Sequence, residues 1–198
     1  MKKFNSDWFS NNIPKFNSVL DHLKNKKNIS LLEVGSFEGR STCWFIENIC
    51  TGANSTITCI DTWEGSMEQT DSKSDYPVTL IKSLWDLFNN NISEYPKEKV
   101  IIKRGLSRDR LRDSDLSKYD FIYVDGSHTT RDVLGDAVLC FDLLKIGGVM
   151  TFDDYLWTMY ADPLLNPRTG IDAFLICYRG KYELLEQNYQ VTIKKISG

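Results

Sequence analysis

Residues 119–154 constrain the fold more than any other stretch. An apolar run, Phe121-Ile122-Tyr123-Val124, stops at Asp125. A span follows with apolar residues at Val133, Ala137, Val138, Phe141 and Leu144. A second apolar run, from Val149 to Phe152, stops at Asp153 and Asp154. The middle spacing is close to a helical period. Strand, helix and strand in this order predict a right-handed crossover between parallel strands, so both runs end on the same edge of a sheet. Ligands of open α/β sheets sit at that edge. The crossover is therefore expected to gather Asp125, His128, Asp153 and Asp154, although 29 positions separate the first from the last.

The rest of the chain extends this pattern. Residues 1–12 are polar with a few aromatics and are expected to be a loose lead-in. Residues 14–27 carry Phe16, Val19, Leu20 and Leu23 behind Pro14, as in an amphipathic helix. Strands are expected at 29–34, 56–60 and 100–103, with helices at 41–49, 78–92 and 108–111. The polar stretch 62–77 is long enough to be a lid or binding loop. After the crossover, residues 155–170 are irregular, 171–178 have helical spacing, and 182–185 and 189–196 alternate like strands around a turn at 186–188. The expected fold is α/β: a Rossmann-like doubly wound sheet, mainly parallel, with a C-terminal antiparallel hairpin. One domain is expected over 1–198, with a helical lead-in over 1–28.

Composition narrows the function. A net charge of −3 gives no sign of a nucleic-acid or membrane partner. No apolar run approaches the ~20 residues of a membrane span, and no signal peptide is expected at the start. The five cysteines form no Cys-x-x-Cys pair and mostly lie in apolar runs, which suits buried thiols in the reducing cytoplasm. Oligomeric state is not readable, and a homodimer stays open.

Between the first strand and its helix stands Gly35-Ser36-Phe37-Glu38-Gly39. A glycine turn there lets backbone approach a ligand closely, although alone it equally fits a tight turn with no ligand. Asp61, ending the second strand 22 residues beyond Gly39, is placed to bind ribose hydroxyls. The turn lacks the central glycine of the dinucleotide fingerprint. It carries Glu38 within it and Glu33 just before it. Carboxylates there repel phosphates and suit a ligand with an amino group and no phosphate, such as S-adenosylmethionine (SAM).

These motifs, together with Cys59-Ile60-Asp61-Thr62-Trp63, Val124-Asp125-Gly126-Ser127-His128, Gly147-Gly148, Phe152-Asp153-Asp154-Tyr155 and Tyr189-Gln190-Val191, resemble class I SAM-dependent methyltransferases. The resemblance covers residues 29–195. It is strongest to the catechol O-methyltransferase-like group with its macrolide sugar (macrocin-type) and cephalosporin-tailoring relatives. It implies that Glu33, Gly35, Ser36 and Gly39 surround the methionine part of SAM, that Asp61 binds the ribose, that Trp63 lies beside the adenosyl group and that Ser107 lies near adenine. Leu106 stands where relatives often have an acidic residue. The resemblance also implies a magnesium site at Asp125, Asp153 and Asp154.

That set has a chemical rationale. A hydroxyl is a poor nucleophile near neutrality, and a divalent cation lowers its pKa and orients it. Magnesium takes oxygen ligands and keeps positions open for substrate. His128 stands where the catechol enzymes have a lysine base, and an imidazole can take the hydroxyl proton; ligand, orienting and helix-capping roles compete for it. Strand-end turns are the bland reading of the three aspartates. Tyr155 and Trp157 adjoin strand ends and could line an acceptor pocket, with Arg168 and Asp172 as weaker candidates. The expected function is magnesium-assisted O-methylation of a small hydroxylated acceptor, a sugar or a phenol. A nicotinamide-dependent oxidoreductase and a non-catalytic binding module are the alternatives.

Overall fold

The computed structural model describes residues 1–66, 76–115, 118–158 and 160–198. A seven-stranded sheet organises them. In chain order the strands are β1 (Ser30–Val34), β2 (Thr56–Asp61), β3 (Val100–Arg104), β4 (Tyr119–Val124), β5 (Leu144–Phe152), β6 (Tyr182–Gln187) and β7 (Val191–Lys195). Their spatial order is β3-β2-β1-β4-β5-β7-β6. The first five run parallel, and β7 pairs antiparallel with both β5 and β6. The mainly parallel sheet and its terminal hairpin are as the sequence predicts.

Among the described residues the α-helices are α1 (Ile13–Leu20), α2 (Arg40–Asn48), α3 (Val78–Ile81), α4 (Leu84–Ile92), α5 (Ser107–Arg110), α6 (Thr130–Leu143) and α7 (Pro167–Cys177). Successive strand residues point to opposite faces. Phe121 and Tyr123 therefore join Phe16, Phe45 and Phe88 in one core beneath α1, α2 and α4. Ile122 and Val124 join Phe141, Ile171 and Phe174 in the other, beneath α6 and α7.

Three expectations are corrected. The helix expected over 78–92 is broken between α3 and α4, where the Ser83 hydroxyl donates to the Leu80 carbonyl at 2.8 Å and competes with the helical ladder. Strand β5 begins at Leu144, not Val149, directly after α6. The buried Lys195 ammonium donates to the carbonyls of Phe141 and Leu144 at 2.7 and 3.0 Å, and so caps that helix end. The lead-in is not loose. Lys3 and Asn91 exchange hydrogen bonds of 2.7 and 2.8 Å, the Arg40 guanidinium donates to Ser6 O at 2.9 Å, and Phe9 is buried against Phe16 and Phe45. Most of the loop expected at 62–77 lies outside the described residues.

Register builds the working edge. Val34 pairs with Ile60 and with Val124, and Val124 pairs with Phe152. The ladder continues past the strand ends: Gly35 N donates to Ile60 O, Asp125 N to Val34 O and Asp153 N to Val124 O, at 2.9, 2.8 and 3.0 Å. Asp61, Gly35, Asp125 and Asp153 thus stand in a row on four adjacent strands, spanning ~14 Å at the usual strand spacing.

Candidate functional site

The glycine turn fits against β4 because it has no side chain there. Gly35 has φ +88°, and a Cβ on it would fall 1.8 Å from the Asp125 carbonyl oxygen. Gly39, with φ +82°, precedes α2, and a Cβ there would press on the Phe88 ring at 3.0 Å. The candidate cofactor loop and the candidate acidic site therefore share a wall at Gly35 and Asp125.

Glu33 is fully buried under this loop. Its Oε2 accepts from the hydroxyls of Ser36, at 2.7 Å, and Thr42. Its Oε1 has no partner among the described residues. Burial raises its pKa, and the hydroxyls of Ser41, Thr42 and Ser36 oppose that rise. An orphaned buried carboxylate oxygen beside a glycine turn suits a ligand carrying an amino group. Glu38 does not share this role. Its two oxygens accept from Asn5 N, Asn5 Nδ2 and Tyr76 OH, each at 2.7 Å, so it faces the N-terminal segment.

Asp61 ends β2 and accepts from Phe37 N at 2.8 Å and Trp63 N at 2.7 Å. Burial raises its pKa and these amides oppose that rise. The Trp63 ring turns inward against Phe88 and Trp85, and its Nε1 donates to Phe37 O at 3.0 Å. Ser107 opens α5 and hydrogen-bonds Asp136, whose pKa burial pushes up to about 7. Leu106 beside it is exposed.

The acidic residues separate into two groups. Carboxylate oxygens of Asp125 and Asp154 and a ring nitrogen of His128 all lie within 4.8 Å of one another. His128 Nε2 stands 2.9 Å from Asp154 Oδ2, Tyr189 OH donates to Asp154 Oδ1 at 3.0 Å, and Trp157 packs on the imidazole with ring centroids 4.8 Å apart. Asp153 is engaged elsewhere. Its Oδ2 accepts from Tyr123 OH and, at 3.3 Å, from Asn12 Nδ2, while its Oδ1 accepts from Asp154 N at 2.9 Å. Thr129 rather than His128 caps α6, accepting from Asp132 N.

Desolvation raises the Asp125 pKa well above the carboxylate range, and like charge on Asp153 and Asp154 adds to the rise. Asp153 is raised by burial and then by Asp154. No lysine or arginine forms an ion pair with Asp125, Asp153 or Asp154 among the described residues. Oxygen-rich and short of positive charge, the donor set fits a divalent cation. Among the described residues six non-glycine residues have positive φ, and three of them stand at this edge: Phe37, Trp63 and Asp154. The other three are asparagines, which tolerate that conformation. Such strain concentrates at functional sites.

A family model described as a methyltransferase domain matches residues 32–155. The chain belongs to the methyltransferase domain family. Its class is SAM-dependent methyl transfer on a class I fold. The matched span covers the glycine loop, Asp61, Asp125 and the Asp153–Asp154 pair.

Solved methyltransferase structures share this fold. The O-methyltransferase TomG from Streptomyces achromogenes, determined with SAM, is 16% identical with a TM-score of 0.65, over 93% of this chain and 80% of that one. An O-methyltransferase from Bacillus cereus, in complex with SAH, is 16% identical with a TM-score of 0.61, over 97% and 84%. MycE of the mycinamycin pathway, in complex with Mg, SAH and mycinamycin VI, is 15% identical with a TM-score of 0.65, over 97% and 51%. At these identities the likeness is one of fold. No curated protein matches the chain.

No helix among the described residues is long and apolar enough to cross a membrane. The five cysteines are unpaired, and four are buried.

Sequence reasoning missed Asn12 and Asp136 as polar groups built into this edge, assigned Glu38 to the cofactor turn rather than to the N-terminal segment it holds, and gave Gln190 a motif but no role. A polar residue inside an apolar helical stripe, as Asp136 is in α6, is the one local signal among them.

Proposed function

We propose that this methyltransferase is a cytoplasmic O-methyltransferase acting with a divalent cation, magnesium first among candidates, on a small hydroxylated acceptor such as a sugar or a phenol. The observation that carries the reading is the convergence of Asp125, His128 and Asp154 within 4.8 Å, on the strand edge against which Gly35 is packed. MycE, of the same fold, is a methyltransferase in complex with Mg, SAH and mycinamycin VI.

When bound, SAM supplies an electrophilic methyl group, and a cation supplies positive charge beside the acceptor hydroxyl. Glu33 would accept from the amino group of SAM, Asp61 from the ribose hydroxyls, Ser36, Gly35 and Gly39 would line the methionine part, and Trp63 and Ser107 would frame the adenosyl part. Asp125 and Asp154 would hold the cation, with Asp153 as third ligand if it turned from Asn12. His128 would take the proton of the acceptor hydroxyl, whose oxygen receives the methyl group as the carbon–sulfur bond of SAM breaks. Trp157 and Tyr189 bound the space above His128 and Asp154.

The test is calorimetry with SAH, with and without Mg²⁺, followed by turnover on hydroxylated acceptors. SAH should bind, and EDTA should abolish turnover while leaving SAH binding intact. Failure of SAH to bind at high micromolar concentration would remove the cofactor assignment.

A second reading concerns His128 alone. Because its nitrogen, not the Asp153 carboxylate, completes the compact group, His128 could serve as the third ligand. Nitrogen coupling in the electron spin-echo spectrum of bound Mn²⁺, lost in His128→Ala, would decide for it.

A further inference from the structure

Gln190 is fully buried, and neither its Nε2 nor its Oε1 has a hydrogen-bond partner among the described residues. A buried amide left without partners is costly, and such groups call for an explanation. Its position supplies one. Phe152 pairs with Val191 across the antiparallel β5–β7 ladder, so Gln190 is the cross-strand neighbour of Asp153, one step further on. The Tyr155 N to Tyr189 O bond of 2.9 Å keeps the two segments together beyond that pair. Cross-strand neighbours share a face of the sheet. The backbone at Gln190 is itself fixed, since its N donates to Asn188 Oδ1 and its O accepts from Asn188 N.

Burial raises the Asp153 pKa, and the Gln190 amide lies near enough to oppose that rise, although its geometry falls short of a full hydrogen bond. The Asp153 oxygens are instead occupied by Tyr123 OH, Asn12 Nδ2 and Asp154 N. Asn12 belongs to the N-terminal segment, 141 positions away in sequence. A carboxylate that turns towards Asp125 and Asp154 gives up the bond from Asn12 and needs another donor to fix it.

We propose that Gln190 is the positioning residue for Asp153: its Nε2 donates to the carboxylate when Asp153 turns from Asn12 to join the cation site. Groups that orient a metal ligand by hydrogen bonding commonly change metal affinity by about 10- to 100-fold. The inference rests on the cation-site reading of Asp125, Asp153 and Asp154.

The experiment measures Mn²⁺ affinity, by electron paramagnetic resonance of the free ion, for wild type, Gln190→Met, Asp153→Asn and the double variant, with melting temperatures of the cation-free proteins. Met keeps the length of the side chain and removes both unpaired atoms. Gln190→Met should raise the melting temperature by a few degrees and weaken Mn²⁺ about tenfold. In the Asp153→Asn background the same change should have no further effect on Mn²⁺, because the path through Asp153 is already cut. Wild-type protein that binds Mn²⁺, with Gln190→Met binding it equally well, would overturn this inference and leave the cation site standing. Equal weakening in both backgrounds would also overturn it. Wild-type protein that binds no Mn²⁺ would overturn the cation site and this inference with it.

Discussion

His128 Nε2 stands 2.9 Å from Asp154 Oδ2, and Asp154 holds a left-handed backbone conformation with φ +58° to meet it. The pairing places an imidazole at the end of β4 against a carboxylate at the end of β5, under Trp157. If His128 is the proton acceptor, His128→Gln keeps the ring's space and one hydrogen bond but removes the base. With any acceptor that wild type methylates, kcat should fall on the order of 10²-fold or more, with SAH affinity within about twofold of wild type. A parallel loss of SAH affinity in calorimetry would assign the residue to structure instead.

Gly35 gives a harsher test of the shared wall. A methyl group there would overlap the Asp125 carbonyl, at 1.8 Å, on a backbone with φ +88°. Relief requires β1 and β4 to part at their carboxyl ends. Gly35→Ala should cost on the order of 3 kcal/mol in urea unfolding and abolish SAH binding. Wild-type stability in this variant would mean that the two strand ends are not held as described.

At Asp61 the prediction separates charge from shape. Asp61→Asn keeps an oxygen for Phe37 N or Trp63 N, at 2.8 and 2.7 Å, and loses the negative charge. A hydrogen bond to a charged group contributes about 1.5–3 kcal/mol, so SAH should bind roughly 10-fold more weakly or worse. Unchanged affinity in calorimetry would place the ribose elsewhere.

How much of this edge was legible in the sequence follows from where each residue's partners lie. Asp61, Asp125, Asp153 and Asp154 were readable because an apolar run ending in a carboxylate marks a strand end by itself, and the crossover rule then aligns the ends. The split of Asp153 from Asp154 was not readable. Adjacent residues at a strand end differ by which neighbour they meet, and Asp153 meets Asn12 and Tyr123. Glu38 looked like part of the turn's electrostatics, whereas its donors, Asn5 and Tyr76, lie 33 and 38 positions away. Gln190 carried a motif but no role, since an unpaired amide exists only once the fold has closed around it. The break at Ser83 shows the opposite limit: one local side-chain bond overrode a helical period that the apolar pattern carried straight through.

The N-terminal segment should therefore behave as part of the structure. Glu38 accepts three hydrogen bonds while almost fully buried, and Gln in its place offers a donor where a donor already points. Glu38→Gln should cost about 1–3 kcal/mol and speed amide exchange across residues 3–9, with exchange in β4 unchanged relative to global stability. Protection of residues 3–9 equal to wild type would show that Arg40 and Asn91 suffice to hold the segment.

Asp136 links stability to pH with a definite sign. Burial pushes its carboxyl up to about 7 from the ordinary 3.8, against the opposing hydrogen bond from Ser107. Between those values the folded protein keeps the proton while the unfolded chain has lost it. Unfolding then releases a proton, so this group's contribution to stability declines as pH rises through that window and levels off above about 7. Glu33 and Asp125 are raised as well, so the wild-type profile alone does not isolate Asp136. The difference from Asp136→Asn does, because Asn keeps a partner for Ser107 and cannot ionise. Relative to wild type, the variant should gain on the order of 2 kcal/mol between pH 5 and pH 8 in urea unfolding, with the gain complete by pH 8. A difference that stays constant over this range would mean that Asp136 is ionised in the folded protein throughout, and that the contact at the start of α5 is a charged one.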